Sequence, residues 1–449
     1  MKRKTKAILK EPLKQDEIVN IAHKIRLEPN NVQKTYLNKA IGCARLAYNW
    51  GLSEWKRAYE NGEKPNALRI RKSFNAIRKE KYPFTYEVSK SVTNQAILDL
   101  GKAYLNFFKG LSNYPQYKKK SYTEGSFYLD GENIKFKNIN EITKKEIKAQ
   151  YVLIPKLGFV KMSERLRFNG KINSCCISRQ ADKYFISFSL EITQEEFEKT
   201  HKYVSEKPKN LLAGVDIGSI SAIALDNGYK VKPPKPLSKA NKKYAKLSKK
   251  LSKKQHRRSK DDQTKASNNY IKASRKLGRL AAHIANIRND FNHKETSKVV
   301  AKNKFIAMET LNVKGMIKNR KLSKSISDVS YASISNKIEY KAKYCGRYVY
   351  RADMFFASSK TCLACNEKHP DLKLSDRIFI CPFCGFTIDR DVASAKNLKQ
   401  NMEEYLIAIA HREFTLAKIS SVDERNESCL RSALSLKQED SVKSIRNLD

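Results

Sequence analysis

Residues 361–398 read TCLACNEKHPDLKLSDRIFICPFCGFTIDRDVASAKNL. Two CxxC pairs, Cys362/Cys365 and Cys381/Cys384, are separated by fifteen residues, and the acidic run Asp389-Arg390-Asp391 follows with four residues between it and the last cysteine. Four thiolates at this spacing suit a single tetrahedral Zn2+, each pair forming a tight knuckle. Gly385 supplies the left-handed turn that a knuckle wants. Asn366 holds the same place after the first pair, where asparagine is tolerated better than most residues. Four cysteines complete the ligand set without His369, so the metal is read as structural; a redox dithiol is the alternative reading of the same residues. The stretch then poses a question: the metal is either the function itself or a clamp that fixes the acidic residue behind it.

Two more acids stand in apolar surroundings. Asp216 lies in LLAGVDIGS and Glu309 near the end of FIAMET, both patterned as short buried strands. Asp391 starts a helical stretch, DVASAKNLKQNMEEYLIAIA. A carboxylate in an apolar strand is costly unless something pairs it. Three such acids, from two strands and a helix N-terminus, match a site where carboxylates converge on divalent cations. Mg2+ takes oxygen ligands and keeps positions open for water and phosphate, and two such ions can serve phosphodiester hydrolysis. The same residues also admit a plainer reading as a turn cap, a strand end and a helix N-cap, and spacing alone leaves the two open.

Composition narrows the partner. The chain of 449 residues carries 90 Lys and Arg against 46 Asp and Glu, a net charge of +44. Such an excess repels itself until a polyanion is bound, which favours nucleic acid. No run approaches the ~18 apolar residues of a membrane-spanning helix, and no apolar stretch follows the basic N-terminus as in a secretory leader. A cytoplasmic location is therefore expected. Cys43, Cys175, Cys176, Cys345 and Cys429 show no ligand spacing and read as ordinary thiols.

The length allows about three domains. AHKIRLEP is extended, Asn30 and Gln33 form a capping box, and Leu37, Ile41, Ala44, Tyr48, Leu52 and Trp55 make one helix face. TNQAILDLGKAYLNFFKG repeats the helical period, so 31–112 is a helical insert. Alternation then takes over, with a hairpin about Gln180 to Lys183, and 1–30 with 113–207 make a β-rich, barrel-like domain. Two strands about the Asn227-Gly228 turn follow, then basic helical stretches at 238–262 and 267–300, a strand at FIAMET, a helix over 331–344 and a strand in RYVYRADMFF. The tail from 416 reads as disordered. Lys118, Lys119 and Lys120, interleaved with aromatics in NFFKGLSNYPQYKKKS, suit base stacking and phosphate contact. Arg257 and Arg258 lie in a basic run that is either solvated or phosphate-binding, and Arg288, on the next helix, has a core or capping role as its plain reading.

The order GVDIGS, FIAMETLNVKGM, and SSKTCLAC through CPFCGFTIDRDVASAKNL resembles the RuvC-like nuclease half of the TnpB family. These are transposon-encoded RNA-guided DNA nucleases related to compact type V CRISPR effectors. The likeness extends to HKIRLEP, GCARLAYNWGL, NFFKG, RRSK with RKLGRLAAHIANIRNDFNHK, and the terminal LKQED, nearly the whole chain. It implies an RNase H-like α/β nuclease domain over 208–355 and 389–415, with a zinc-ribbon insert over 356–388 that touches target DNA. It implies that Asp216, Glu309 and Asp391 hold catalytic Mg2+. The family pattern places the catalytic acid two residues before an Asn-Ala pair, which selects Asp391 over Asp389; here Ala393-Ser394 stand in that place. The resemblance implies a guide RNA and target double-stranded DNA as partners, with cleavage beside a short flanking motif. For Arg288, nucleic-acid contact is suggested by this family likeness alone. A DNA-binding regulator that no longer cuts and a basic accessory factor of a transposon are the other classes considered.

Overall fold

A computed structural model describes residues 7–13, 18–121, 123–139, 146–201, 204, 206–254, 266–319, 323–373 and 375–417. Arg257, Arg258, Cys429 and the tail beyond 417 lie outside these residues. The chain forms two compact units, one of residues 1–14, 203–236 and 288–449, the other of 15–202 and 237–287.

The first unit is built on a six-stranded mixed sheet. Its strands lie in the order Ile8–Lys10, Tyr348–Arg351, Asn303–Met308, Asn210–Asp216, Ile223–Leu225, Lys230–Val231. The middle three run parallel and the outer pairings are antiparallel. Asn303–Met308 reads NKFIAM and is buried almost throughout, as a central strand covered on both faces must be. The Asn-Gly turn expected after Leu225 is present, with Gly228 at φ +86° and its amide donating to the Leu225 carbonyl at 3.0 Å.

The last helix, Arg390–Ala417, packs on this sheet through Leu398 and Met402, which join Phe305, Ala307, Tyr350 and Ala352 in one core. Its approach to Asn210–Asp216 is close enough to dictate a residue. A methyl group on Gly214 would lie 1.7 Å from the Ala395 carbonyl oxygen. Only glycine fits.

In the second unit the strands Val19–Leu27, Lys183–Ile192, Lys171–Gln180 and Glu124–Asp130 form an antiparallel sheet in that order. Tyr184, Ile186, Phe188 and Leu190 alternate into its core as the period of two requires. Phe136–Ile139, Glu146–Ile154 and Gly158–Lys161 form a second sheet, joined to the first by an isolated bridge between Leu27 and Met162. Among the described residues these strands form two sheets and no closed barrel. The helix Asn31–Glu60 begins at the expected capping box: Gln33 N donates to Asn30 Oδ1 at 2.8 Å and Asn30 N to Gln33 Oε1 at 3.0 Å. It packs with Ala67–Lys81 and Lys90–Phe108.

Two boundaries differ from those read in the sequence. Ile8–Lys10 pairs with Tyr348–Arg351, so the N-terminus belongs to the six-stranded sheet and not to the β-rich part assigned to 1–30. Three residues are too few to display a period. The helical region 237–287 groups with 15–202 instead of with the unit that carries the six-stranded sheet. Arg279 grips the Asp182 carboxylate through Nε at 3.0 Å and Nη2 at 2.6 Å, and Gly278 lies against Thr123 and Ala181.

Gly214→Ala should force the last helix off the sheet. Overpacking costs about 1–3 kcal/mol, and occasionally more, so thermal melting should show a fall of several degrees. An unchanged melting temperature would contradict the close approach.

Candidate active site and metal centre

The four cysteines come together. Their sulfur atoms all lie within 4.8 Å of one another, a group that could hold one metal ion. Both knuckles use the same backbone geometry. Asn366 N donates to the Cys362 carbonyl at 3.1 Å and Gly385 N to the Cys381 carbonyl at 3.0 Å, with Asn366 at φ +63° and Gly385 at φ +72°. The left-handed turns expected at both positions are therefore present. Burial pushes the Cys381 thiol up, but the amides of Cys384 and Phe383 and the neighbouring thiols bring it down to about 7, while Cys365 is pushed up to about 12 and Cys384 is also raised. Of the cysteines outside this set, Cys43, Cys175 and Cys345 are buried and Cys176 is exposed.

The cluster is tied to the last helix from both sides. Ile378–Ile380 and Thr387–Asp389 pair as a small antiparallel ribbon. Arg390 N donates to the Arg377 carbonyl at 2.9 Å, and Arg390 Nη1 to the Lys373 carbonyl at 2.9 Å. Asn397 Nδ2 donates to the carbonyls of Ser358 at 2.7 Å and Thr361 at 2.8 Å.

The two acids of the DRD run have different positions. Asp389 caps the helix, its Oδ1 accepting from Asp391 N at 3.0 Å and Val392 N at 3.2 Å. It also pairs with Lys230. Burial pushes its carboxyl up, but Lys230 and the two amides hold it below the usual carboxylate range. Asp391 sits in the first turn, and Ser221 Oγ donates to its Oδ2 at 2.9 Å.

The structure brings Asp391, Asp216 and Glu309 to one end of the sheet. Asp216 ends its strand opposite Ala224, and Glu309 follows directly on Asn303–Met308. Ser394, one helical turn after Asp391, donates to Asp216 Oδ1 at 3.1 Å. Ser358 donates to Glu309 Oε1, and Arg351 Nη1 to the Glu309 carbonyl at 2.7 Å. Burial, and then the negative charges of Glu309 and Asp391, raise the Asp216 carboxyl well above the usual range. Burial raises Glu309 too, against the hydroxyls of Ser358 and Ser394. Three mutually repelling, half-buried carboxylates at one end of a sheet are a donor set that a hard divalent ion would relieve. Tyr331 is buried beside all three acids. Ser221, Ser358, Ser394, Lys230, Arg351 and Tyr331 were not assigned to the site from sequence. Only Ser394 carried a signal, as half of the departure from the Asn-Ala pattern.

The candidate nucleic-acid residues among those described differ in their settings. Arg288 is committed internally, donating to Asp328 Oδ1 from Nε at 3.1 Å and from Nη2 at 2.8 Å. The ammonium of Lys118 lies 3.9 Å over the Tyr48 ring, and Lys119 and Lys120 are exposed. Tyr114 and Tyr117 pack within the helical region, on Tyr104 Oη at 2.9 Å and Ser53 Oγ at 3.1 Å.

Three families match parts of the chain: a "Helix-turn-helix domain" over 19–64, a "Probable transposase" over 187–320 and a "Cas12f1-like, TNB domain" over 331–398. Residues 19–64 here form a strand and one long helix. A Streptomyces pristinaespiralis protein provisionally named an RNA-guided DNA endonuclease is 30% identical over 85% of this chain and 89% of its own length. The Escherichia coli K12 protein InsQ, named in the same provisional way, is 26% identical over 84% of this chain and 91% of its own. In fold, the chain is similar to one from a Cas12f1–sgRNA–target DNA complex, with a TM-score of 0.51 at 13% identity, covering 85% of this chain and 99% of that one.

Elemental analysis should find about one thiol-bound metal ion per chain. Cys381→Ser should lose that ion and lower the melting temperature by loosening the segment that enters the last helix. Retention of both metal and stability would remove the clamp.

Proposed function

This chain belongs to the TnpB family, and from that membership we propose that it is an RNA-guided DNA endonuclease cutting at an RNase H-like, RuvC-type site formed by Asp216, Glu309 and Asp391. The observation that carries the reading is the meeting of these three acids at one end of the six-stranded sheet, beside a four-thiol cluster that anchors the helix bearing the third. The four thiolates suit Zn2+ in a closed structural site. The carboxylates suit Mg2+, which when bound as a pair supplies an activated water and stabilises the departing oxygen.

The chain's own groups set that site up. Ser221 orients Asp391, Arg351 fixes the backbone at Glu309, and Ser394 engages one oxygen of Asp216. Base pairing with a guide RNA would read the target, while the protein reads a short flanking motif and duplex shape. The charge of +44 supports two nucleic-acid partners at once. The ribbon over 356–388 is proposed to touch target DNA, and the helical insert with the β-rich sheets to hold the nucleic acids. A regulator without cleavage is disfavoured, because the acid cluster has all three carboxylates in place.

Protein purified from its host should carry a discrete RNA from its own locus, and replacing the guide segment should redirect cutting to the new complementary DNA. Cutting of a fixed site by RNA-free protein would defeat the RNA-guided reading. Asp216→Ala, Glu309→Ala or Asp391→Ala should abolish magnesium-dependent cleavage while guide RNA stays bound. Asp389→Ala should weaken the helix cap by about 1 kcal/mol and leave measurable cutting. Cleavage by Asp216→Ala at the normal rate would overturn the site.

A further inference from the structure

Asp216 and Glu309 each face one of two adjacent buried hydroxyls. Ser394 Oγ lies 3.1 Å from Asp216 Oδ1 and 3.0 Å from Ser358 Oγ, and Ser358 Oγ donates to Glu309 Oε1. Ser358 is 2% exposed and Ser394 1% exposed, so bulk water does not compete for these contacts. The backbone beneath each serine is fixed separately. The Ser358 carbonyl accepts from Asn397 Nδ2 at 2.7 Å, and the residue after Ser394 has its carbonyl against Gly214.

We infer that Ser358 and Ser394 form a positioning pair that sets the orientation and separation of Asp216 and Glu309 for divalent cations. This rests on the function proposed above. The chemistry of the pair suits the task. Each hydroxyl brings one proton and no charge, so it can hold a carboxylate oxygen without adding a cation to the site. An ammonium or guanidinium in the same place would neutralise the charge that attracts the ion. Groups that orient metal-binding carboxylates commonly contribute about 10–100-fold to metal affinity.

The test uses the full-length chain with its thiol site loaded with zinc. Mn2+ binding is followed by electron paramagnetic resonance, with Asp216→Ala as the background. Ser394→Ala and Ser358→Ala should each weaken Mn2+ binding by about ten-fold or more without lowering the melting temperature. Ser394→Thr, which keeps a hydroxyl, should bind more tightly than Ser394→Ala. In the RNA-bound protein, Ser394→Ala should need correspondingly more Mg2+ for half-maximal cleavage and regain its rate at saturating Mg2+, whereas Asp216→Ala stays inactive. Unchanged Mn2+ affinity in folded Ser394→Ala and Ser358→Ala would overturn the pair and leave the nuclease reading standing. Normal cleavage by Asp216→Ala would instead overturn the reading on which the pair rests.

Discussion

The last helix reaches the sheet at a point where residue 214 can have no side chain, and the candidate site is arranged around that approach. With the Ala395 carbonyl against Gly214, the neighbouring Ser394 falls within hydrogen-bond distance of Asp216, two residues further along the strand. The helical period does the rest. Asp391, Ser394 and Asn397 recur at intervals of three on one face, and Leu398 beside them enters the core. One close contact thus sets the helix height, and the helix period converts that height into three polar contacts.

The thiol cluster solves a different problem. Between the strand ending at Arg351 and the helix starting at Arg390 the chain makes an excursion of roughly forty residues, whose closure entropy is about 3 kcal/mol plus a constant. A metal-closed ribbon would shorten the freely moving segments within that excursion. Asn397 then bonds the carbonyls of Ser358 and Thr361 at the entrance, while Arg390 bonds those of Arg377 and Lys373 at the exit. The clamp and the acids are therefore mechanically continuous. On the function proposed, the ribbon's contribution would be to hold Asp391 and Ser358 in place.

What could be read from sequence followed from how local each signal is. The knuckle turns at Asn366 and Gly385, the capping box at Asn30 and the alternation through Phe188 depend on a few adjacent residues, and all of them are present. The pairing of Ile8–Lys10 with a strand more than three hundred residues later leaves no local trace. Neither does the grip of Arg279 on Asp182, which draws a helical region toward the β-rich unit. Arg288 was ambiguous because a guanidinium on a helix looks alike whether it awaits phosphate or an internal acid; Asp328 settles its partner in this structure. The serine hydroxyls of the site were illegible for the same reason, since serine carries no pattern that distinguishes a buried bridge from a surface residue.

The DRD run shows how a strongly basic chain can keep acids available. Lysines abound, and a lysine beside Asp391 would compete with any cation for it. Lys230 is that lysine, its ammonium 3.8 Å from Asp391 Oδ2. Its closer partner is Asp389, which also accepts two amides of the first helical turn. Asp389 therefore does two jobs: it begins the helix and draws the ammonium toward itself. Asp391 is left with a neutral donor, Ser221, as its hydrogen-bond partner. Asp216 and Glu309 likewise face the hydroxyls of Ser394 and Ser358. Neutral donors orient carboxylates without cancelling their charge, so the acids remain repelled by one another, and a divalent cation is the partner that lowers that energy most.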